Sequence, residues 1–274
     1  MESSQIKTIK LNNDIIMPLL GLGVYDMYNS EAEQAVESAL KIGYRLIDTA
    51  SMYNNEREIG SALKNSALKR TDIFVTTKLN NSDHGYDQAL KAFDESLQKL
   101  QLDYIDLYLI HWPIKAGRKE SWKALEKLYA DNRVRAIGVA NYTVPFLEEL
   151  KLYSNITPAL NQIEFTPWLF QKDVLDYCKS DRIQLQSYSP LTRGIKFNDP
   201  RLLTLCTKYE KTPAQIILNW NIQLGVSTIP KSTKVERLQE NFDALNFTLE
   251  SDDVIFMNSF NEGFRICDDP IQFL

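Results

Sequence analysis

Three consecutive stretches decide the fold class: IFVTTK at residues 73–78, YDQALKAFDESLQKL at residues 86–100 and YIDLYLIH at residues 104–111. The first and third are short apolar runs, typical of strands that are buried on both faces. In the second, apolar side chains recur at helical spacing and form one face. A strand, a helix and another strand in this order predict two parallel strands joined by a right-handed crossover.

The same alternation continues along almost the whole chain. Segments with helical spacing separate eight candidate strands, at residues 21–24, 45–48, 73–78, 104–111, 134–141, 159–164, 183–189 and 226–231. Eight such units predict an α/β fold closed into a single (β/α)8 TIM barrel. An open, doubly wound sheet is the alternative that this pattern leaves. At the start of the first helix, Ser30 and Glu33 predict a capping box.

Two further features bear on domain organisation. Residues 8–11 and 15–17 look like short strands around the turn Asn12-Asn13-Asp14, and they predict an N-terminal β-hairpin that caps the bottom of the barrel. The sequence has no internal repeat, linker or low-complexity segment. We therefore expect a single barrel domain over residues 1–274, a length close to the ~250 residues usual for this fold.

Composition excludes several classes of protein. With 31 basic and 36 acidic residues the net charge is -5, so no nucleic-acid-binding surface is expected. No apolar run reaches the ~18 residues of a membrane span, and residues 1–11 lack the apolar core of a signal peptide. Three widely spaced cysteines without a CxxC pair argue against a disulfide framework or a metal site. These features predict a cytoplasmic protein with reduced thiols.

Polar residues end successive candidate strands. Asp48, Lys78 and His111 end the second, third and fourth, and Asn141 and Tyr188 end later ones. In an α/β barrel the carboxyl ends of all strands share one rim, which carries the active site. Each residue taken singly is explained as an ordinary buried polar group, but three consecutive strand ends together favour a common site.

The stretch Gly21-Leu22-Gly23 begins like a dinucleotide-binding fingerprint. Asp26 occupies the third glycine position, and no strong strand precedes the stretch. We interpret the glycines as a close backbone approach on the first strand, and not as a phosphate-binding loop.

Several of these residues lie in motifs that resemble those of the aldo-keto reductases. The motifs follow the order of that family: Asp48-Thr49-Ala50 with Tyr53, Thr77-Lys78, Ile110-His111-Trp112-Pro113, Gly138-Val139-Ala140-Asn141-Tyr142, Asn161-Gln162-Ile163-Glu164, Tyr188-Ser189-Pro190-Leu191 and Ile229-Pro230-Lys231-Ser232. The resemblance extends from about residue 18 to residue 264. It implies a (β/α) barrel that binds NADPH and reduces aldehydes and ketones to alcohols, an enzyme of the EC 1.1.1 class.

The resemblance implies catalytic roles for Asp48, Tyr53, Lys78 and His111. Tyr53 would be the general acid, but a free tyrosine has a pKa near 10. We expect Lys78, held charged by Asp48, to lower the pKa of Tyr53. His111, in its neutral form, would hydrogen-bond the substrate oxygen. An alternative role for Lys78, as a Schiff base in an isomerase or aldolase, would need a low lysine pKa, which Asp48 opposes.

The resemblance also implies binding residues for cofactor and substrate. The cofactor set comprises Asn141 and Gln162 for the nicotinamide carboxamide, Tyr188 for the ring, Ser189 and Leu191 for the pyrophosphate, Lys231, Ser232 and Arg237 for the 2′-phosphate, and Glu240 and Asn241 for the adenine. The substrate set comprises Tyr25, His111 and Trp112, with Trp168 as a further candidate that core packing would explain equally well. For residues 231–241, the solvated start of a helix is the alternative.

Short loops at residues 113–121 and after residue 263 predict an open pocket for small aldehydes, α-dicarbonyls and keto compounds. The complete catalytic set favours an enzyme, acting as a monomer on a small carbonyl substrate. The alternative is a regulatory or structural barrel that binds the cofactor with little turnover.

Overall fold

The computed structural model describes residues 6–273. The expected domain over residues 1–274 and the polar segment of residues 1–11 therefore lie partly outside the described residues. Within residues 6–273, ten strands form two sheets. A two-stranded antiparallel sheet pairs β1 (Thr8–Lys10) with β2 (Ile16–Pro18). The second sheet has eight parallel strands in chain order: β3 (Leu22–Gly23), β4 (Leu46–Asp48), β5 (Phe74–Leu79), β6 (Ile105–Ile110), β7 (Val134–Ala140), β8 (Leu160–Glu164), β9 (Gln184–Tyr188) and β10 (Ser227–Thr228).

The eight-stranded sheet closes on itself. Leu20, just before β3, forms a parallel bridge with Thr228 of β10, and the Gly21 amide donates to the Thr228 carbonyl at 2.9 Å. The prediction of a (β/α)8 barrel is therefore confirmed, and the open sheet is excluded. The close approach expected of the glycines is present too, because a Cβ on Gly23 would lie 2.7 Å from the Ile229 carbonyl oxygen.

In the part of the chain that the structure describes, ten α-helices surround or follow the strands: α1 (Asn29–Ile42), α2 (Glu56–Asn65), α3 (Tyr86–Leu100), α4 (Arg118–Ala130), α5 (Val144–Lys151), α6 (Lys172–Ser180), α7 (Pro200–Tyr209), α8 (Pro213–Gln223), α9 (Val235–Phe242) and α10 (Ser251–Asn258). None of the helices within residues 6–273 has the length and apolar character needed to cross a membrane.

Alternate residues of the strands face two separate cores. In β6, Leu107 and Leu109 pack inside the barrel, whereas Tyr108 and Ile110 pack against the surrounding helices. Leu11 and Met17 of the N-terminal hairpin join the inner core. The hairpin thus seals the barrel end opposite the strand carboxyl ends, as predicted.

The predicted capping box at the first helix is wrong. Helix α1 begins at Asn29, and its N-cap is Tyr28, which makes no side-chain capping bond. Ser30 therefore lies inside the helix, two positions beyond the N-cap at Tyr28, where its hydroxyl would have to stand to cap the helix. A capping box is present instead at the start of α8, between Thr212 and Gln215.

Candidate active site

The carboxyl ends of the barrel strands open into one cleft of about 1310 Å³. All predicted site residues other than Lys78 and the further candidate Trp168 line it: Tyr25, Asp48, Tyr53, His111, Trp112, Asn141, Gln162, Tyr188, Ser189, Leu191, Lys231, Ser232, Arg237, Glu240 and Asn241. Lys78 is fully buried at the end of β5, adjoining the cleft through its contacts with Asp48 and Tyr53. The parallel strands end at one rim, so residues far apart in sequence share one site.

Lys78 sits at the centre of a compact polar cluster. Its Nζ donates to Asp48 Oδ1 at 2.5 Å, to the Thr49 carbonyl at 2.9 Å and to the Tyr53 hydroxyl at 3.3 Å. Tyr53 reaches this position because a single 3₁₀ turn, Ser51–Tyr53, follows β4. The Ser51 hydroxyl in that turn donates a hydrogen bond to the Lys78 carbonyl at 3.0 Å. All three ammonium hydrogens are thus used, which favours a charged lysine.

The ionic states of this cluster follow from its hydrogen bonds. Both Asp48 oxygens accept hydrogen bonds, Oδ1 from Lys78 and Oδ2 from Gln162. Because both partners are donors, a proton on the Asp48 carboxyl group would have no acceptor among them, which favours the carboxylate. Burial raises the pKa of Asp48, and the Lys78 ammonium opposes that rise. Burial lowers the pKa of Lys78, but the Asp48 charge and the hydrogen bonds with Asp48 and Tyr53 outweigh that effect and hold the lysine pKa above 10.5. A raised lysine pKa disfavours the Schiff-base alternative.

The expected lowering of the Tyr53 pKa is wrong. Burial raises the pKa of Tyr53, the Lys78 ammonium only partly offsets the rise, and the Asp48 charge adds to it. The loss of water around the buried phenol raises its pKa by more than the neighbouring ammonium lowers it. Tyr53 consequently keeps its proton at neutral pH.

His111 presents a neutral imidazole beside the phenol. Its ring lies edge-on to Tyr53, with 5.6 Å between ring centroids. Burial, with help from the Lys78 charge, holds the pKa of His111 well below its usual 6.5. Nδ1 is buried and makes no hydrogen bond within residues 6–273. Because a buried N–H without an acceptor is costly, this favours the tautomer with its proton on Nε2.

Asn141 and Tyr188 are tied to each other and to the same rim. The Tyr188 hydroxyl donates to Asn141 Oδ1 at 2.8 Å, and Asn141 Nδ2 donates to the His111 carbonyl at 2.9 Å. Asn141 adopts a left-handed backbone conformation, with φ of 65°. The backbone turn after β7 and these two bonds fix the amide, leaving one N–H for a ligand.

A basic region lies elsewhere in the cleft. Lys231 donates to the Asp26 carbonyl at 2.7 Å and lies 3.5 Å from the Asp26 carboxylate. Arg193 and Arg237 also line the cleft, and neither forms an ion pair within the described part of the chain, residues 6–273. Arg237 lies on α9, whose Leu238 is fully buried. Helix α9 therefore packs its apolar face against the core and at the same time presents Arg237 to the cleft.

Aromatic side chains flank the phenol. Tyr25 packs edge-on against Tyr53 at 5.1 Å between ring centroids, and Trp112 packs against Phe273 at 5.5 Å. Trp168 does not line the cleft: it is fully buried, and its Nε1 donates to Asp199 Oδ2 at 2.7 Å. Its assignment to the substrate pocket is wrong, and core packing accounts for it.

Sequence reasoning missed the contribution of the C-terminal segment. Ile266, Cys267 and Phe273 line the cleft. The segment is held there by the buried Glu164 carboxylate at the end of β8, which accepts the amides of Ile266 at 2.7 Å and Cys267 at 3.0 Å. An acidic residue at a strand end is the only signal of this docking in the sequence, and it does not name its partner.

The cleft fits a dinucleotide together with a small substrate. Its volume exceeds the ~300–1,000 Å³ of ordinary small-ligand sites. The guanidinium groups of Arg193 and Arg237 have no ion-pair partner among the described residues, so they suit phosphate groups. Within residues 6–273, no three His, Cys, Asp or Glu side chains lie close enough to hold a metal ion. A basic groove that adjoins a buried phenol–ammonium pair can hold a phosphate-bearing ligand beside a proton donor.

Comparison with known proteins identifies the family. A model of the Aldo/keto reductase family matches residues 20–199 and 198–262, and the chain belongs to that family. It is 46% identical over 275 residues to glyoxal reductase of Bacillus subtilis, covering 100% of both chains. It is 42% identical over 269 residues to methylglyoxal reductase DkgA of Escherichia coli, covering 97% of both. A mutant of Gox0644 in complex with NADPH superimposes with a TM-score of 0.93 at 36% identity, over 97% of this chain and 98% of that one.

Proposed function

We propose that this protein is a carbonyl reductase of the EC 1.1.1 class, in which Tyr53 protonates the carbonyl oxygen of the substrate. The protein reduces aldehydes and ketones to alcohols with NADPH. Membership of the aldo/keto reductase family and the likeness to an NADPH complex support the cofactor. The observation that carries the catalytic assignment is the 3.3 Å contact between Lys78 Nζ and the Tyr53 hydroxyl at the edge of the cleft.

The hydrogen bonds of Tyr53 suit it to donate a proton. Its oxygen accepts from Lys78, so its own hydrogen must point away from the ammonium and is free to be donated into the cleft. Because the pKa of Tyr53 is raised, the phenol is protonated before each turnover. When the proton leaves, the tyrosinate lies beside the buried Lys78 charge, which stabilises it where water cannot.

NADPH supplies the hydride that reaches the carbonyl carbon. His111 Nε2 donates to the substrate oxygen and stabilises the negative charge that develops on it. Asp48 keeps Lys78 charged through the 2.5 Å contact. Asn141 and Gln162 hold the nicotinamide carboxamide, and Tyr188 lies against the ring.

The remaining cofactor contacts come from the basic region. Ser189 and Leu191 contact the pyrophosphate, Lys231, Ser232 and Arg237 bind the 2′-phosphate, and Glu240 and Asn241 contact the adenine. Lining of the same cleft by all of these residues supports the assignment. Lys and Arg serve phosphate as a point charge and a planar fork respectively.

Small aldehydes and α-oxoaldehydes are the proposed substrates. The part of the cleft that holds them is lined by Tyr25, His111 and Trp112. The names of two relatives, a glyoxal reductase and a methylglyoxal reductase, support this class. We also propose that residues 1–274 form one domain that acts as a cytoplasmic monomer. One chain supplies the complete cleft, and its three cysteines are free.

The catalytic assignment is tested by Tyr53→Phe. We expect kcat for aldehyde reduction, followed by NADPH absorbance, to fall at least ~100-fold, the usual contribution of a positioned acid. NADPH affinity should be retained. Tyr28→Phe is the matched control, because Tyr28 is an exposed tyrosine that does not line the cleft. Parental turnover in Tyr53→Phe would refute the assignment. NADPH binding by the parent without turnover on a broad carbonyl panel would favour the regulatory or structural barrel.

A further inference from the structure

A chain of buried amides runs from Asp48 into the interior of the barrel. Gln162 Nε2 donates to Asp48 Oδ2 at 2.7 Å and to Gln186 Oε1 at 2.7 Å. Gln186 Nε2 donates to the Ser227 hydroxyl at 3.1 Å, and that hydroxyl lies 3.5 Å from the Pro18 carbonyl. Gln186 is fully buried on β9 and does not line the cleft.

The orientation of each amide in this chain is forced. Both oxygens of the Asp48 carboxylate accept hydrogen bonds, so Gln162 must turn its NH₂ group toward Asp48. The same NH₂ group contacts Gln186, which therefore must present its oxygen. The NH₂ group of Gln186 is then directed at Ser227. Flipping either amide would set donor against donor or acceptor against acceptor.

One atom of the chain is left for a ligand. Both hydrogens of the Gln162 amide are used by Asp48 and Gln186. Its oxygen accepts no hydrogen bond from residues 6–273, yet it is not among the buried unpartnered atoms, and Gln162 lines the cleft. An accessible amide oxygen held in this way selects a ligand group that carries N–H donors, as a primary carboxamide does.

We propose that Gln186 is a positioning residue that locks the Gln162 amide with its oxygen toward the cofactor. The assignment rests on the proposed function, in which Gln162 accepts from the nicotinamide carboxamide. Without an acceptor at position 186, one N–H of Gln162 has no partner and the contact with Asp48 alone orients the amide, so its oxygen is held less firmly toward the carboxamide. Gln186 therefore acts on the nicotinamide half of the cofactor and has no effect on the adenosine half.

The test is Gln186→Met, which keeps the length of the side chain and removes both hydrogen bonds. Dissociation constants are measured by fluorescence titration for NADPH and for adenosine 2′,5′-bisphosphate, a probe without the nicotinamide. We expect NADPH to bind about tenfold more weakly, the effect of one lost hydrogen bond, and the probe to bind as in the parent. Gln184→Met is the matched control: Gln184 lies on the same strand but donates to the Leu185 and Gly225 carbonyls, so both ligands should bind normally.

Gln186→Glu supplies the conservative rescue. A buried glutamic acid still offers an oxygen to Gln162 and, when protonated, donates to Ser227, so NADPH affinity should recover to within about threefold of the parent. If Gln186→Met does not fold, Ser227→Ala tests the link from the other side, because it removes the acceptor that fixes Gln186. We then expect a smaller loss, again confined to NADPH.

Two results would overturn the positioning role alone. The first is parental NADPH affinity in Gln186→Met, or in Ser227→Ala where that variant is used. The second is a variant that binds NADPH and the probe equally weakly relative to the parent. Failure of the parent protein to bind NADPH would instead overturn the proposed function, and the positioning role with it.

Discussion

Replacing Lys78 by methionine isolates the energetics of the buried cluster. The methionine side chain is close in length to that of lysine and carries no charge, so packing changes little. It removes the ion-pair partner of Asp48, which is 2% exposed, together with the donor to the Thr49 carbonyl and to the Tyr53 hydroxyl. A buried carboxylate is left with Gln162 as its remaining hydrogen-bond donor within the described residues.

Breaking a buried ion pair from one side costs about 3–5 kcal/mol, because the remaining charge stays buried without compensation. The variant stays folded as long as the parent's stability exceeds about 5 kcal/mol, which holds over most of the usual range of about 5–15 kcal/mol. The penalty must depend on pH. In the parent, Lys78 opposes the rise that burial imposes on the pKa of Asp48, so in Lys78→Met the folded pKa moves further above the unfolded value of 3.8. The unfolded chain then ionises first, and stability falls as pH increases above 3.8 until the folded pKa is reached.

The assay is urea denaturation of the parent, Lys78→Met and the double variant Asp48→Asn/Lys78→Met between about pH 5 and about pH 8. We expect the free energy of unfolding of Lys78→Met to fall further below that of the parent as pH rises, by at most about 1.4 kcal/mol per pH unit. The double variant contains no uncompensated charge, so it should recover about half of the loss or more and show no added pH dependence. A deficit below about 1 kcal/mol, or one that is constant with pH, would refute the description of Asp48 and Lys78 as a buried ion pair.

Three further predictions concern catalysis, cofactor binding and packing. The kcat for reduction should stay flat from about pH 6 to about pH 9 and fall only above pH 10, because the reaction needs protonated Tyr53 and burial raises its pKa above 10.0; a midpoint below about pH 8 would contradict this. Asp26→Asn should lower KM for NADPH about two- to fivefold at low salt by freeing Lys231 from a carboxylate 3.5 Å away, with less effect at high salt; an unchanged KM would show that the pair is energetically silent. Gly138→Ala should cost about 1–3 kcal/mol in urea denaturation, because its Cβ would lie 2.5 Å from the Leu160 carbonyl oxygen; a change below about 0.5 kcal/mol would contradict the close packing of β7 on β8.

Agreement between sequence and structure is best where a pattern is local. Strand β6 was expected at residues 104–111 and is found at Ile105–Ile110, because an apolar run of that length has few other ways to be buried. The capping box expected at Ser30 and Glu33 is wrong, because the start of a helix depends on which backbone amides find partners.

Agreement fails where a property depends on all the surrounding atoms. The direction of the Tyr53 pKa shift was wrong because burial of the phenol outweighs its neighbouring ammonium, and spacing along the chain carries no measure of burial. Trp168 was a candidate for the pocket and is part of the core. The C-terminal residues Ile266 and Cys267 reach the cleft through Glu164, about 100 positions earlier in the chain.

The order of strands and helices can be derived from the amino-acid pattern alone, and with it the shared rim at which Asp48, Lys78 and His111 meet, because parallel strands all end in the same direction. The contacts between individual atoms of those residues, the water that they lose, and the pairing of Gln162 with both Asp48 and Gln186 follow from the folded chain. Hydrogen-bond geometry and desolvation are set by atoms brought together from the whole chain, and no local pattern contains them.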